Sequence, residues 1–473
     1  MKGHRKSMEK VIESVVKKLT PSQKEVMVVE SLCKKIMEVA KSFENKYNFT
    51  PMFCGSVAKG TWIQPVEIDL FLIFPENLSR EELEKRGLEA GKKICKKLKA
   101  KFEKKYTEHA YLRCFVPWKG KLYEMDIVPC YDIAPEKIKS AVDRTPWHVR
   151  YVIKHLKEEQ KNDVRLLKKF CKAHGVYGAD VLHKGFSGYL CELLIIKFGS
   201  FEKLVQEASN WYPQVLLYIE KLPEKNIIEQ FKESPLVFID PVDEKRNVAA
   251  ALSFESFFKF VKACKEFIKN PSEKFFFPKE KSFSVQKLRE ILRKRDSKFY
   301  VLMFPSLDVH EDILASQLRK LAKFMKKKLT NHGFSIHKTE YFILKDKFGI
   351  LIEAEVWKLP KVMKRTGPEI MSKHAKEFLK HYASKKAWIE DCFWVIEDER
   401  EFQTIDEFIK KMFSGSCKKL KEKGIPSYIA KQGRKLTLYT GDFELIKLAC
   451  ENEEFKKRLS KYFEENLNIF SAS

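Results

Sequence analysis

From Glu67 to Pro75 the chain reads EIDLFLIFP, and this stretch constrains the fold more than any other. It is apolar apart from Glu67 and Asp69, short for a helix and closed by Pro75, so it reads as a core strand. Side chains at i and i+2 share one face of a strand, which points Glu67 and Asp69 the same way while Ile68 packs behind them. Ahead of it a second apolar stretch, residues 49–54, runs into Gly55-Ser56, so two strands flank a glycine-serine turn. Residues 79–98 show helical periodicity opened by the Ser79 and Glu82 of a capping box, and strand-like pieces follow at 110–117 and 122–128. A mixed sheet with helices packed on it is expected here.

Upstream, Met8, Val11, Ile12, Val15, Val16 and Leu19 recur at helical spacing, and Thr20-Pro21 reads as the N-cap and first position of a second helix. Beyond Thr145-Pro146 the pattern is helical to about residue 270, most clearly at 164–173 and 188–198. A connection at 271–281 leads to strand-like 299–304, helical 314–329, strand-like 341–344 and 350–357, helical 375–382 and strand-like 392–396. That β-α-β-β-α-β order predicts a small α/β sandwich with one exposed sheet face, an arrangement that suits RNA. The last segment is amphipathic and lysine-rich, with no fixed-period repeat and no long low-complexity tract.

The densest chemistry lies in Gly55-Ser56, Glu67-Ile68-Asp69 and the later Asp126 within Tyr123 to Pro129. If the strand of Asp126 lies beside that of Glu67 and Asp69, three acids converge where like charges cannot all stay ionised without a cation. Hard oxygen ligands of this kind suit Mg²⁺, and a pair of such ions activates a 3′-hydroxyl and steadies a departing pyrophosphate, which is nucleotidyl transfer. The Gly55-Ser56 turn adds backbone N–H groups and a hydroxyl for phosphate oxygens. Glu124 shares the face of Asp126 and competes for its role, or is simply an exposed strand acid.

A chain of 473 residues, 44% of them hydrophobic, is long enough for several domains. Lys+Arg 91 against Asp+Glu 65 leaves a formal net charge of +26, for which nucleic acid is the natural partner. The 11 cysteines contain no CxxC pair and no clustering with histidine, which indicates neither a zinc site nor a disulfide framework and fits a reducing cytoplasm. No signal peptide and no apolar run near the ~18 residues of a membrane span is present, so no membrane is expected.

Four stretches together resemble the DNA polymerase β nucleotidyltransferase superfamily, and within it the class I, archaeal-type CCA-adding enzymes. They are Gly55-Ser56-Val57-Ala58-Lys59 leading to Glu67-Ile68-Asp69; residues 126–131 leading to 141–146; Arg165-Leu166-Leu167-Lys168 through 185–192; and residues 240–249. They cover roughly the first 270 residues, and Arg365-Thr366-Gly367-Pro368 extends a looser match into the C-terminal part. The resemblance implies that Glu67, Asp69 and Asp126 are catalytic and hold Mg²⁺, and that Ser56, Lys59, His148, Lys168 and Tyr177 bind the incoming nucleotide. It further implies that Arg246, together with tRNA phosphates, reads the Watson–Crick edges of cytosine and adenine in place of a nucleic-acid template.

Two departures accompany the match. Lys59 stands where the family usually has arginine, keeping the charge without the bidentate fork, and the loop from Ser56 to Glu67 is slightly short and holds Pro65. By themselves, Tyr177 also fits a packed aromatic, His148 a helix-start residue, and Arg246 a salt-bridge partner of Asp243.

The implied fold is α+β and multidomain: a polymerase-β-like head over residues 1–145, a helical neck over 146–270, and a basic α/β body and tail over 271–473. The implied reaction adds C, C and A to tRNA from CTP and ATP, in the cytoplasm, with the acceptor stem and elbow held by the body; a homodimer is left open. A poly(A) polymerase of the same superfamily and a catalytically silent RNA-binding protein are the rivals, the second opposed by the presence of all three acids.

Overall fold

The computed structural model describes residues 2–106, 110–138, 140–180, 183–278, 282–307, 309 and 311–467. The chain divides into two compact units, Met1–Lys279 and Glu280–Ser473. Residues 279–281 of the expected 271–281 connection lie outside the described residues.

The first unit opens with helices α1 (Lys2–Leu19) and α2 (Gln23–Lys41). The N-cap of α2 is Ser22 rather than the expected Thr20, and Ser22 and Glu25 form a reciprocal capping box. The Thr20 hydroxyl instead donates back to the Val16 carbonyl at 2.8 Å, so it finishes α1. The two helices serve different cores: Met8 and Val15 of α1 are buried beside Phe170, whereas Val29, Leu32 and Ile36 of α2 are buried beneath the sheet.

After the short α3 (Glu44–Tyr47) come β1 (Thr50–Cys54), the single-turn α4 (Gly55–Ala58), β2 (Glu67–Pro75), α5 (Arg80–Lys97), β3 (Lys101–Tyr106), β4 (Ala110–Trp118) and β5 (Lys121–Asp132). They form one sheet in the order β1-β2-β5-β4-β3, parallel only between β2 and β5. Ile68, Leu70, Leu72 and Phe74 of β2 are buried with Leu112, Val116, Met125 and Ile127 against Leu83, Ala90 and Ile94 of α5. Only half of the expected capping box forms on α5: Ser79 accepts from the Glu82 amide, but the Glu82 carboxylate goes to Arg86. Strand β3 was not expected, because its lysine-rich sequence lies exposed at the sheet edge and carries no apolar signal. Cys95 of α5 and Cys114 of β4 are joined as a disulfide, which the cysteine spacing did not indicate.

The helical region supplies α6 (Thr145–His155), α7 (Gln160–Ala173), α8 (Gly188–Phe198), α9 (Phe201–Ala208), α10 (Lys225–Glu229) and α11 (Phe254–Lys269). Phe170, Phe186, Phe201, Phe257, Phe260, Phe267 and Phe276 fill its core. Two three-residue strands, β6 (Val215–Leu217) and β7 (Leu236–Phe238), pair in parallel within this region and are too short for periodicity to reveal.

The second unit holds α12 (Val285–Arg295), β8 (Lys298–Pro305), α13 (Glu311–Asn331), β9 (Ser335–Ile343), β10 (Lys347–Val356), β11 (Val362–Glu369), α14 (Ala375–His381), β12 (Ala387–Glu390) and β13 (Phe393–Glu399). It ends with α15 (Ile405–Met412), α16 (Cys417–Glu422), α17 (Ser427–Gln432), β14 (Thr437–Thr440), α18 (Gly441–Glu451) and α19 (Glu453–Leu467). The expected single sandwich is instead two sheets, β14-β8-β10-β9 and β11-β13-β12. Neither face of the first is bare along β8. Tyr300, Leu302 and Phe304 pack with Leu318, Leu321 and Met325 of α13, while Phe299, Val301 and Met303 pack with Leu288 of α12, Leu445 of α18 and Phe463 of α19. Six consecutive apolar residues, Phe299 to Phe304, need cover on both sides, which is why the expected open face is absent here. No helix among the described residues is long and apolar enough to cross a membrane.

Candidate active site

The parallel register of β2 and β5 sets Glu67 opposite Glu124 and Asp69 opposite Asp126. The condition on which the acid cluster depended is therefore met: the expected carboxylates lie on adjacent strands, one residue pair apart along the face. Burial, and then the charges of Asp126 and Glu67, push the Asp69 carboxyl up to about 7, against the pull of Lys59 and Arg113. The carboxylate rests on the glycine-serine turn. Gly55 has φ +64°, and a Cβ there would stand 1.7 Å from Asp69 Oδ2, so both backbone conformation and space require glycine.

Arg113 of β4 was not foreseen. It faces Asp126 across the β4–β5 pair and grips it with both arms of its fork, Nε to Oδ1 and Nη2 to Oδ2, each at 2.9 Å. Its Nε also lies 2.9 Å from Glu124 Oε1, so the acid that competed with Asp126 shares the same cation. Among the described residues no three acidic, histidine or cysteine side chains already surround a common point suited to a metal, as the fork on Asp126 leads one to expect. The donors nonetheless fit a hard divalent cation: carboxylate oxygens from neighbouring strands, one of them driven toward its neutral form by burial and the neighbouring acids.

The remaining expected residues fall into three groups. Ser56 is the second residue of α4, immediately after Gly55. Lys168 of α7 and Tyr177 converge on the first residue of α8, where a Cβ on Gly188 would lie 3.1 Å from the Tyr177 hydroxyl and 3.7 Å from Lys168 Cε. Lys172, one helical turn after Lys168, places its ammonium 5.1 Å from the centre of the Tyr177 ring and feels the Glu67 charge. That i+4 spacing on one helix face was a legible signal.

His148 and Arg246 meet on a fully buried carboxylate. Asp240 Oδ2 lies 2.9 Å from His148 Nε2 and accepts from Arg246 Nη1 at 2.7 Å, while Oδ1 accepts from the Tyr189 hydroxyl and the Val242 amide, each at 3.0 Å. The imidazole is stacked on Tyr189 with ring centres 3.8 Å apart. Burial lowers the His148 pKa, and the Asp240 hydrogen bond opposes that. Arg246 thus pairs with Asp240, not with Asp243, which binds Arg144 at 3.0 Å.

Lys59 is a buried cation. It is only 8% exposed, and its Nζ lies 2.5 Å from Glu192 Oε2 in the interior. The same carboxylate accepts from Lys168 at 3.1 Å, so two of the expected nucleotide ligands share one acid that sequence reasoning gave no role. A single acid within the otherwise apolar run Tyr189 to Ile196 was the signal available.

Residues 33–148 match the nucleotidyltransferase domain family, 162–277 the tRNA nucleotidyltransferase second domain, and 295–429 the CCA-adding enzyme C-terminal domain. The chain is 36% identical to the CCA-adding enzyme of Methanocaldococcus jannaschii over 91% of its own length and 95% of that relative's. It is 34% identical to the CCA-adding enzyme of Archaeoglobus fulgidus over 86% of this chain and 90% of that one. A crystal structure of the Cid1 poly(U) polymerase is similar at a TM-score of 0.45 and 11% identity, over 56% of this chain and 97% of that chain. With three matched domains in order and identity of this level along most of both chains, the chain belongs to the CCA-adding enzymes, a family of tRNA nucleotidyltransferases.

Proposed function

We propose that, in the CCA addition to tRNA that defines this family, Glu67, Asp69 and Asp126 hold Mg²⁺, while Ser56, Lys168, Tyr177, His148 and Arg246 hold the incoming CTP or ATP. The pairing of Asp69 with Asp126 across β2 and β5 carries this reading. The bond formed joins the tRNA 3′-oxygen to the α-phosphorus; the bond broken releases pyrophosphate. Divalent ions at the acids supply hydroxyl activation and charge balance at the phosphates. The chain itself does the rest. The Gly55 turn and the Ser56 hydroxyl donate to phosphate oxygens, and Lys168 and Tyr177 close on the triphosphate at the start of α8. Asp240 takes one Nη1 donor of Arg246 and fixes the guanidinium plane, leaving other N–H groups for a base edge.

The same reading assigns residues 1–145 to a catalytic head, 146–270 to a neck that closes over the nucleotide, and 271–473 to a body and tail for the acceptor stem and elbow. It places the enzyme in the cytoplasm and leaves its assembly as monomer or homodimer to sedimentation. The test is a tRNA lacking its CCA end offered each of the four NTPs, and then CTP with ATP, in Mg²⁺ and in EDTA. Addition that stops after C, C and A and needs the ion supports the reading. Continued addition of A, as by a poly(A) polymerase, or product formed in EDTA, refutes it.

A further inference from the structure

Glu192 is the least expected group in the first unit: a carboxylate with no exposure, on a helix whose residues Leu190 to Ile195 are all buried. Its Oε2 takes Lys59 at 2.5 Å; its Oε1 takes the Thr61 hydroxyl at 2.7 Å and Lys168 at 3.1 Å. Lys168 gives its other contacts to Thr61, the hydroxyl at 3.0 Å and the carbonyl at 3.3 Å. An ammonium has three protons, so a phosphate oxygen at Lys168 would take the place of one of its Thr61 contacts. One turn earlier on α7, Arg165 donates to the carbonyls of Gly60 at 2.5 Å and Trp62 at 3.2 Å. Three successive carbonyls of the loop after α4 are therefore gripped by two cations of one helix.

That loop carries the phosphate-facing turn with it, because the Thr61 amide donates to the Ser56 carbonyl at 3.0 Å. A shift of Thr61 would therefore pull on Ser56 through this bond. Burial would raise the Glu192 pKa, but the charges of Lys59 and Lys168 and the hydrogen bonds from Lys59 and Thr61 bring it down to about 2, so the acid is ionised and holds both amines.

We propose that Glu192 is a positioning residue that bolts the Gly55-Ser56 turn to α7 and α8, and that Lys59 serves this bolt instead of contacting the triphosphate. The proposal rests on the nucleotide site assigned above and gives a physical account of the lysine at position 59. A compact ammonium meets the one carboxylate oxygen left open, whereas the two-armed grip of a guanidinium fork would use both, and Thr61 and Lys168 already occupy the other.

The experiment is steady-state kinetics for CTP and ATP on tRNAs ending before C and before A, with Glu192→Gln, Lys59→Met, the double variant and Thr61→Val. Each single change at 59 or 192 is expected to raise KM for both nucleotides by about tenfold, the effect of losing one charge-assisted hydrogen bond, with kcat within about threefold. Affinity for tRNA should be unchanged. The double variant should be no worse than the worse single one. If its KM defect is instead the product of the two, Lys59 reaches the nucleotide independently of Glu192 and the proposal falls. An unchanged KM in Glu192→Gln overturns it as well.

Should Glu192→Gln fail to fold, Thr61→Val keeps every charge and removes one hydroxyl. A KM raised about threefold at unchanged Tm then supports the bolt, on the scale of one neutral hydrogen bond, and an unchanged KM overturns it. Failure of the wider site assignment looks different: Asp69→Asn would retain turnover, whatever happens at Glu192.

Discussion

Asp69 answers to two demands at once. Its carboxylate presses on a glycine that no other residue can replace, and its pKa sits at about 7 because burial and two neighbouring acids resist its charge. In the unfolded chain an aspartate titrates near about 3.9. Between about pH 4 and 7 the unfolded chain therefore releases a proton that the folded chain keeps, so this group's contribution to stability falls as pH rises and levels off above about 7. In EDTA the Tm of the wild type should drop between pH 5 and 7.5 more than that of Asp69→Asn. Added Mg²⁺ should flatten the wild-type slope, because a cation at the carboxylate offsets the penalty. Parallel slopes for the two proteins would show that Asp69 is not the group responsible.

Arg246 sets the second residue-scale prediction. In the base-reading role proposed above, the donors that Asp240 leaves to Arg246 would meet cytosine O2 and N3 and adenine N1, whereas uracil and guanine present an N–H at the corresponding ring nitrogen. Arg246→Ala should lower kcat/KM for CTP and ATP, each lost bond costing about 1.5–3 kcal/mol, and lower it less for UTP and GTP, so that discrimination shrinks. Lysine should restore activity only in part. A uniform loss over all four nucleotides would make Arg246 a phosphate or structural contact.

Among the elements, α8 does the most. Its N-cap Ser187 accepts from the Leu190 amide, its first residue Gly188 lies under Tyr177 and Lys168, and its fifth, Glu192, takes three donors from two layers. Gly188→Ala separates these jobs. Alanine is favoured over glycine in a helix by roughly 0.5–1 kcal/mol, so stability should hold or rise. Its methyl would stand 3.1 Å from the Tyr177 hydroxyl, which has to give way. The expected outcome is an unchanged or higher Tm with KM for CTP and ATP raised several-fold; a lower Tm with normal KM would assign Gly188 to packing alone. The helix was visible in the sequence. Its buried glutamate was not understood there, because the partners of Glu192 on the head loop are 133 and 131 residues away.

At the scale of the whole molecule the formal net charge of +26 remains the simplest guide to the partner. Lysines neutralising tRNA phosphates release counterions, so affinity for tRNA should fall about a thousandfold or more between 50 and 200 mM salt if at least six phosphates are contacted. Filter binding over that range measures it, and a flat dependence would detach the charge from RNA. The second unit shows where composition and order mislead. The β-α-β-β-α-β succession was present along the chain, yet β13 pairs with β11 and β12, and the place beside β8 goes to β14, far downstream.

What the sequence determined by itself was local or strongly patterned: the strand headed by Glu67 and Asp69, the turn at Gly55, and the helices at 164–173 and 188–198. These follow from spacing, because a strand's alternation and a helix's period are properties of consecutive residues. Tertiary structure alone decided the rest. It chose Asp240 over Asp243 for Arg246, put the Arg113 fork on Asp126, and gave Lys59 to Glu192. Each is a choice among several chemically adequate partners, and what settles it is which strands pair and which helices pack, since a buried charge takes the opposite charge that the fold brings within reach.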